Sequence, residues 1–307
     1  MREIIVIAGP TAVGKTKYAI AVAQAFNGEI VSCDSMQLYK YMNIGSAKPT
    51  AEEQARAVHH LVDEIDPKES FSVAKYSKMA KAAIEDIFSR GKTPIISGGT
   101  GLYLNSILYD MDFSNAPKDD KLRENLEKEA ELFGPEYIYN KLCEVDAEAA
   151  KRIHPNNVKK VIRALEGAAS GNSITDFRSC TKKCDEYDAV LIGLTRNRQE
   201  LYDRINLRVD LMVEEGIFAE VENLLEMGLA EEDISMKGIG YKEIIGYFDG
   251  LYSKDEAIDL IKKNSRHLAK RQLTWFRRYE DMKWFNISEY SGDEEAIEDI
   301  LAWLRKR

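Results

Sequence analysis

Gly9-Pro10-Thr11-Ala12-Val13-Gly14-Lys15-Thr16, entered directly from the apolar run Ile4-Ile5-Val6-Ile7-Ala8, reads as a strand that runs into a phosphate-binding loop. A loop of the form G-x-x-x-x-G-K-[ST] turns successive backbone N–H groups inward around a phosphate. It sends its lysine to an outer phosphate oxygen and offers its last hydroxyl to Mg²⁺. The helical pattern that follows, Tyr18, Ala19, Val22, Ala23 and Phe26, adds the positive end of a helix dipole. The loop specifies phosphate chemistry but not which phosphorylated molecule is held.

Outward from the loop, strand-like and helix-like segments alternate: a helix from about Thr16 to Ala25, a strand at Glu29–Cys33, a mixed stretch to about Ile65, a helix from Ser72 to Arg90, and a strand at Pro94–Ser97. That rhythm predicts a parallel sheet wrapped by helices. From about Phe113 strand signals vanish, and helical patterns run through Lys118–Leu132, Pro135–Leu142, Ala147–Ile153 and Asn156–Ala169, punctuated by Gly134 and His154-Pro155. Ala189–Leu194 resumes the strand rhythm, after which the chain reads as helical nearly to its end. The expected fold is α/β, a P-loop NTPase-like sheet formed by residues 1–112 and 187–307, interrupted by an α-helical insertion domain at 113–186.

The 307 residues, 44% hydrophobic and 31% charged, are those of a globular chain, and no apolar run approaches the ~18 residues of a membrane span. The N-terminal apolar run is short and lacks a cleavage-like site, so a cytoplasmic monomer with no membrane association is expected. The four cysteines are scattered, which makes reduced thiols the default. Cys180 and Cys184 could form half of a metal site, but no second pair with ligand spacing follows.

A net charge of −9 argues against a uniformly cationic surface, yet the charge is unevenly placed. Lys151–Arg163 holds five Lys/Arg and Lys262–Arg278 holds seven, with no Asp or Glu in either. At about 100° per residue, Lys263, Arg266, Lys270 and Arg277 share one side of a helix, flanked by His267, Arg271 and Arg278, while Ile261, Leu268, Leu273, Trp275 and Phe276 take the other. Local contact with a polyanion is the expectation.

The second strand ends in Cys33-Asp34-Ser35-Met36-Gln37, at the sheet edge that carries the phosphate loop. Ligands of open α/β sheets lie beyond the carboxyl ends of the strands, so Asp34 is placed to hold Mg²⁺ through water or to take a proton from a nucleophile. The third strand ends in Gly98-Gly99-Thr100-Gly101-Leu102-Tyr103, where an ATPase would carry a metal-binding acid. Its glycines would admit a ligand close to the backbone, and Thr100 offers a hydroxyl.

Together with Ile44–Pro49, Arg152–Asn156, Arg163–Glu166, Gly238–Tyr241 and Gln272–Arg277, these blocks closely resemble bacterial tRNA dimethylallyltransferases, in the same order across almost the whole chain. The resemblance implies transfer of a dimethylallyl group from dimethylallyl diphosphate to the exocyclic amine of the adenosine 3′ of the anticodon, in tRNAs reading codons that begin with U. It further implies that Gly9, Pro10, Thr11, Ala12, Val13, Gly14, Lys15 and Thr16 hold the diphosphate, that Thr16 ligates Mg²⁺, and that Arg208, matched through Leu201–Arg208, neutralises the leaving group. Asp34 becomes the general base, with Thr100 beside it. Asp34, Ser35, Met36, Gln37 and Thr100 read a base flipped out of the anticodon loop, at a cost of a few kcal/mol. The resemblance also implies that Arg123, Lys159, Lys160, Val161, Ile162 and Arg163 contact the anticodon stem-loop. Departures from the family pattern are Asn157, where Asp is common, and Lys159-Lys160, where Gln-Arg is common; lysine lacks the planar fork of arginine. The C-terminal zinc finger of eukaryotic relatives is not expected. From the residues alone a P-loop small-molecule kinase using ATP is the alternative; a guanine-nucleotide switch is disfavoured because no Asn-Lys-x-Asp motif is present.

Overall fold

In a computed structural model, which describes residues 2–111, 120–169 and 182–307, the run Ile4–Ala8 is buried throughout and forms the middle of a six-stranded sheet. An unbroken apolar strand of this kind belongs in a parallel sheet covered on both faces. The strands are β1 (Arg2–Ala8), β2 (Gly28–Ser32), β3 (His59–His60), β4 (Thr93–Gly98), β5 (Tyr187–Thr195) and β6 (Lys283–Asn286), in the order β3-β2-β4-β1-β5-β6. Every pairing is parallel. β1 and β2 are consecutive in the chain yet not neighbours, because β4 lies between them. The segments leaving β1, β2 and β4 therefore emerge side by side at one edge.

The helices of this unit are α1 (Lys15–Ala25), α2 (Ala51–Arg56), α3 (Val73–Ser89) and α4 (Gly101–Leu108). Ser72 caps α3 by accepting from Lys75 N, and Tyr76, Ala80, Ile84 and Ile87 recur at helical spacing on its buried face. α1 buries Tyr18, Ala19, Ile20, Val22 and Ala23 among residues that include Ile5, Ile7, Val190 and Ile192. At the amino end of β2, Glu29 is 2% exposed. It is held by Arg90, Lys92 and His60, the pairing a buried carboxylate needs.

Contacts divide the chain into two compact units, residues up to Leu108 together with Cys184–Arg307, and Tyr109–Lys183. The second unit contains α5 (Asp120–Phe133), α6 (Pro135–Val145), α7 (Ala147–Arg152) and α8 (Val158–Ala169), packed around Leu126, Ile138, Leu142, Ala149, Val161 and Ile162. The expected insertion start at Phe113, the expected helix start at Lys118, and Cys180 lie outside the described residues. After β5 the first unit continues with α9 (Arg198–Glu215), α10 (Ile217–Glu226), α11 (Tyr241–Phe248), α12 (Lys254–Phe276) and, beyond β6, α13 (Asp293–Arg305). A capping box of Ser253 and Glu256 starts α12. Among the described residues no helix is long and apolar enough to cross a membrane.

Three elements depart from the sequence reading. β3 has two residues and β6 has four, too short for alternation to register. α4 begins at Gly101, inside the segment read only as a glycine-rich strand end.

Candidate active site

The phosphate loop leaves β1 at Ala8 and enters α1 at Lys15. Ala12 (φ 63°) and Gly14 (φ 106°) take the left-handed conformation, the alternation of hand that turns backbone N–H groups inward. Its outer carbonyls are tied down by arginines: Arg204 Nε donates to Ala12 O (3.0 Å) and Arg196 Nε to Val13 O (3.2 Å). Lys15 Nζ donates to Pro10 O (2.9 Å), and one Arg208 nitrogen donates to Thr11 Oγ1 (3.3 Å). Burial pushes the Lys15 ammonium down to about 8, against the pull of Asp34 and aided by Arg208. Arg208 is lowered for the same reason, with Asp34 again opposing. Two desolvated cations facing one carboxylate make a site that gains from an anion.

Beside the loop, the ends of β2 and β4 are fused by backbone bonds: Cys33 N donates to Ser97 O (2.7 Å) and Thr100 N to Cys33 O (3.0 Å). Asp34 Oδ1 accepts from Met36 N (2.9 Å), and Asp34 lines the cleft. Thr100 Oγ1 accepts from Ser35 N (3.1 Å) and so fixes the turn that carries Asp34. Gly98, Gly99 and Gly101 line the cleft, as a close ligand approach requires, and they are also packed against other parts of the protein. A Cβ on Gly98 would lie 2.0 Å from Cys33 O, on Gly99 2.4 Å from Gln272 Nε2, and on Gly101 2.2 Å from Trp275 Cδ1. The protein itself approaches the backbone here, so no side chain fits at these positions.

Gln272, on α12, had no role in the sequence reading. Its Oε1 accepts from Thr11 N (2.8 Å) and its Nε2 donates to Gly99 O (3.0 Å), which bridges the phosphate loop and the end of β4. Gln37 is held by Ser32 Oγ, which donates to Oε1 (2.9 Å), and by its own Nε2, which donates to Ala47 O (3.1 Å). These groups line a cleft of ≈ 790 Å³ that also takes in Lys15, Thr16, Arg208 and Trp275. Thr16 and Asp34 are hard oxygen donors suited to Mg²⁺. Among the described residues no cluster of three or more His, Cys, Asp or Glu could hold a metal alone, so the remaining ligands of any ion there must come from the substrate and water.

The expected RNA contacts fare unevenly. Lys159 and Lys160 are exposed at the start of α8, where Asn157 Oδ1 accepts from Lys160 N (3.4 Å). Val161 and Ile162 are 0% and 3% exposed in the core of the helical unit, so their side chains are not RNA contacts. Helix periodicity puts them on the face opposite the lysines. Arg123 makes a two-bond pair with the buried Glu166 (2.8 Å each), and Arg163 reaches the same carboxylate at 3.2 Å. On α12, Arg266 donates to Asn206 Oδ1 and Lys262 pairs with Asp210. Lys263, Lys270, Arg271 and Arg277 remain exposed, with no ion pair among the described residues.

The sequence matches the model of the IPP transferase family over residues 37–279. The chain belongs to that family. It is 53% identical over 301 residues to the tRNA dimethylallyltransferase of Alkaliphilus oremlandii (strain OhILAs), covering 98% of this chain and 96% of that one. Among solved structures it is similar to the full-length tRNA isopentenylpyrophosphate transferase of Bacillus halodurans (TM-score 0.76, 43% identity, 100% and 96% covered). It is also similar to a eukaryotic dimethylallyltransferase acting on tRNA (TM-score 0.82, 28% identity, 100% and 80% covered). This transferase therefore has a P-loop NTPase-like parallel sheet, and the kinase alternative is set aside.

Proposed function

We propose that this transferase moves a dimethylallyl group from dimethylallyl diphosphate to the exocyclic amine of the adenosine 3′ of the anticodon, in tRNAs reading codons that begin with U. The observation that carries the reading is the placement of the Asp34 carboxylate on the same cleft as Lys15, Thr16 and Arg208. The amine lone pair is delocalised into the purine, so the nitrogen must lose a proton as it attacks. The allylic C–O bond breaks, the new C–N bond forms, and Asp34 takes the proton. Lys15, Arg208 and the loop amides stabilise the negative charge that develops on the departing diphosphate. Mg²⁺ held by Thr16 and phosphate oxygens would add further neutralisation of the leaving group. Thr100 holds the Asp34 turn in register, and Ser35, Met36 and Gln37 meet the flipped base. The exposed cations of α12, with Lys159 and Lys160 of the helical unit, contact RNA phosphates, which position the substrate without reading its sequence.

The test incubates the protein with Mg²⁺, dimethylallyl diphosphate and an anticodon stem-loop carrying three consecutive adenosines, then weighs the RNA. A gain of one prenyl unit, abolished when the target adenosine is replaced by guanosine, is expected. No gain in mass with an active diphosphate-binding preparation would overturn the assignment.

A further inference from the structure

Three successive amides, those of Asn43, Ile44 and Gly45, turn toward one carboxylate. Glu220, on α10, accepts from Asn43 N (2.7 Å) and Ile44 N (2.8 Å) through Oε2, and from Gly45 N (3.0 Å) through Oε1. Tyr241 donates its hydroxyl to the same Oε1 at 2.8 Å. Consecutive N–H groups that converge in this way form an anion nest, here filled by the protein's own side chain. Bonds of this kind are roughly twice as strong as neutral ones. Gly45 also lies flat on Tyr241, since a Cβ there would be 2.4 Å from the ring Cζ. The loop is thus fixed to α10 and α11, elements that contribute nothing to the phosphate loop.

The residues that follow carry this anchoring into the cleft. Ser46 and Ala47 line it, and Ala47, in the left-handed conformation (φ 44°), presents its carbonyl to Gln37 Nε2. With Ser32 on Oε1, the Gln37 carboxamide has a fixed orientation, with one N–H and one lone pair uncommitted. A carboxamide with that pair available complements the N6/N7 edge of adenine. Gly238, just before α11, supports the neighbouring side chain, its absent Cβ lying 2.6 Å from Met36 Cε.

We propose that Glu220 is a positioning residue for the nucleobase, acting through the 43–47 loop on the Gln37 carboxamide. This rests on the reading above that Gln37 faces the flipped adenine. Glu220→Gln keeps the size of the side chain but turns an amide donor toward the nest. With saturating dimethylallyl diphosphate, kcat/KM for the RNA stem-loop should fall about tenfold, through KM more than kcat. The Kd for inorganic diphosphate, read by calorimetry, should stay within about twofold. In a Gln37→Ala background the same substitution should cost less than about twofold, because the residue through which it acts is gone.

Costs that multiply in the double variant, or an equal loss of diphosphate affinity, would overturn the proposal and make Glu220 a general packing contact. Glu220→Asp, which keeps the charge and shortens the reach, carries the same expectations if Glu220→Gln does not fold. The unaltered protein in the same assay separates the two readings. No prenylation by it would overturn the proposed function and this inference together. An active parent whose variants show multiplying costs would overturn the inference alone.

Discussion

On the proposed reading the phosphate side of the cleft comes mainly from consecutive residues, Gly9 to Thr16, with Arg208 added from α9, whereas the base side is assembled from stretches scattered between Ser32 and Tyr241. One side would bind largely with backbone amides, which any sequence supplies once the turn is set, aided by the Lys15 and Arg208 side chains. The other relies on side chains whose orientation is imposed by partners far away in the chain. The difference predicts that the two halves fail separately, except where the protein fuses them.

Asp34→Ala gives the largest separation. Loss of the base should lower transfer by about 1000-fold, while the Kd for RNA, measured by fluorescence anisotropy, moves less than about threefold. A parallel loss of binding would make Asp34 a recognition residue instead. Gly98→Ala tests the fusion itself: with the new Cβ 2.0 Å from Cys33 O, overpacking should cost about 3 kcal/mol in chemical unfolding, and both halves should weaken together. Retention of full stability would mean that β2 and β4 can separate at their ends freely.

A third separation is by pH. Lys15 is protonated in the free protein only below about 8, and the protonated form is the one that pairs with diphosphate. Its contribution to affinity is thus complete well below about 8 and is lost as pH rises through that value, approaching tenfold per unit. Calorimetric titration should show this slope in the parent and its disappearance in Lys15→Met. RNA binding alone should lack this slope. Lys270→Ala should act in the opposite sense, leaving diphosphate affinity untouched and reducing the salt dependence of RNA binding by about one phosphate's share. The smallest effect is expected from Asn157→Asp: either residue caps α8, so thermal stability should change by less than about 0.5 kcal/mol.

The legibility of these parts follows their construction. The positions of the loop, Asp34 and Thr100 were readable because each sits at the end of a strand that announces itself by an apolar run. Val161 and Ile162 belong to a block shared with the family, yet their side chains are buried in the helical unit, because half of any amphipathic helix faces inward. Gln272 opens a block shared with the family, but nothing in that block marks its bridging bonds, and Glu220 carried no sign of its own. Both are polar residues on helices rich in charge, and only the chain segments they meet distinguish them from solvated neighbours.

By itself the sequence determined the parallel sheet and the family, and it singled out the phosphate-binding loop and Asp34 as candidates, since all of these depend on local pattern and on residue types at fixed spacing. The tertiary structure decided what packs against the glycines after β4, which cations remain exposed on α12 and in the helical unit, and how Gln37 is turned. Those outcomes depend on distances between residues remote in sequence, such as Gly98 to Cys33, Gln272 to Thr11 and Glu220 to Gly45. Periodicity along a chain carries no record of such distances.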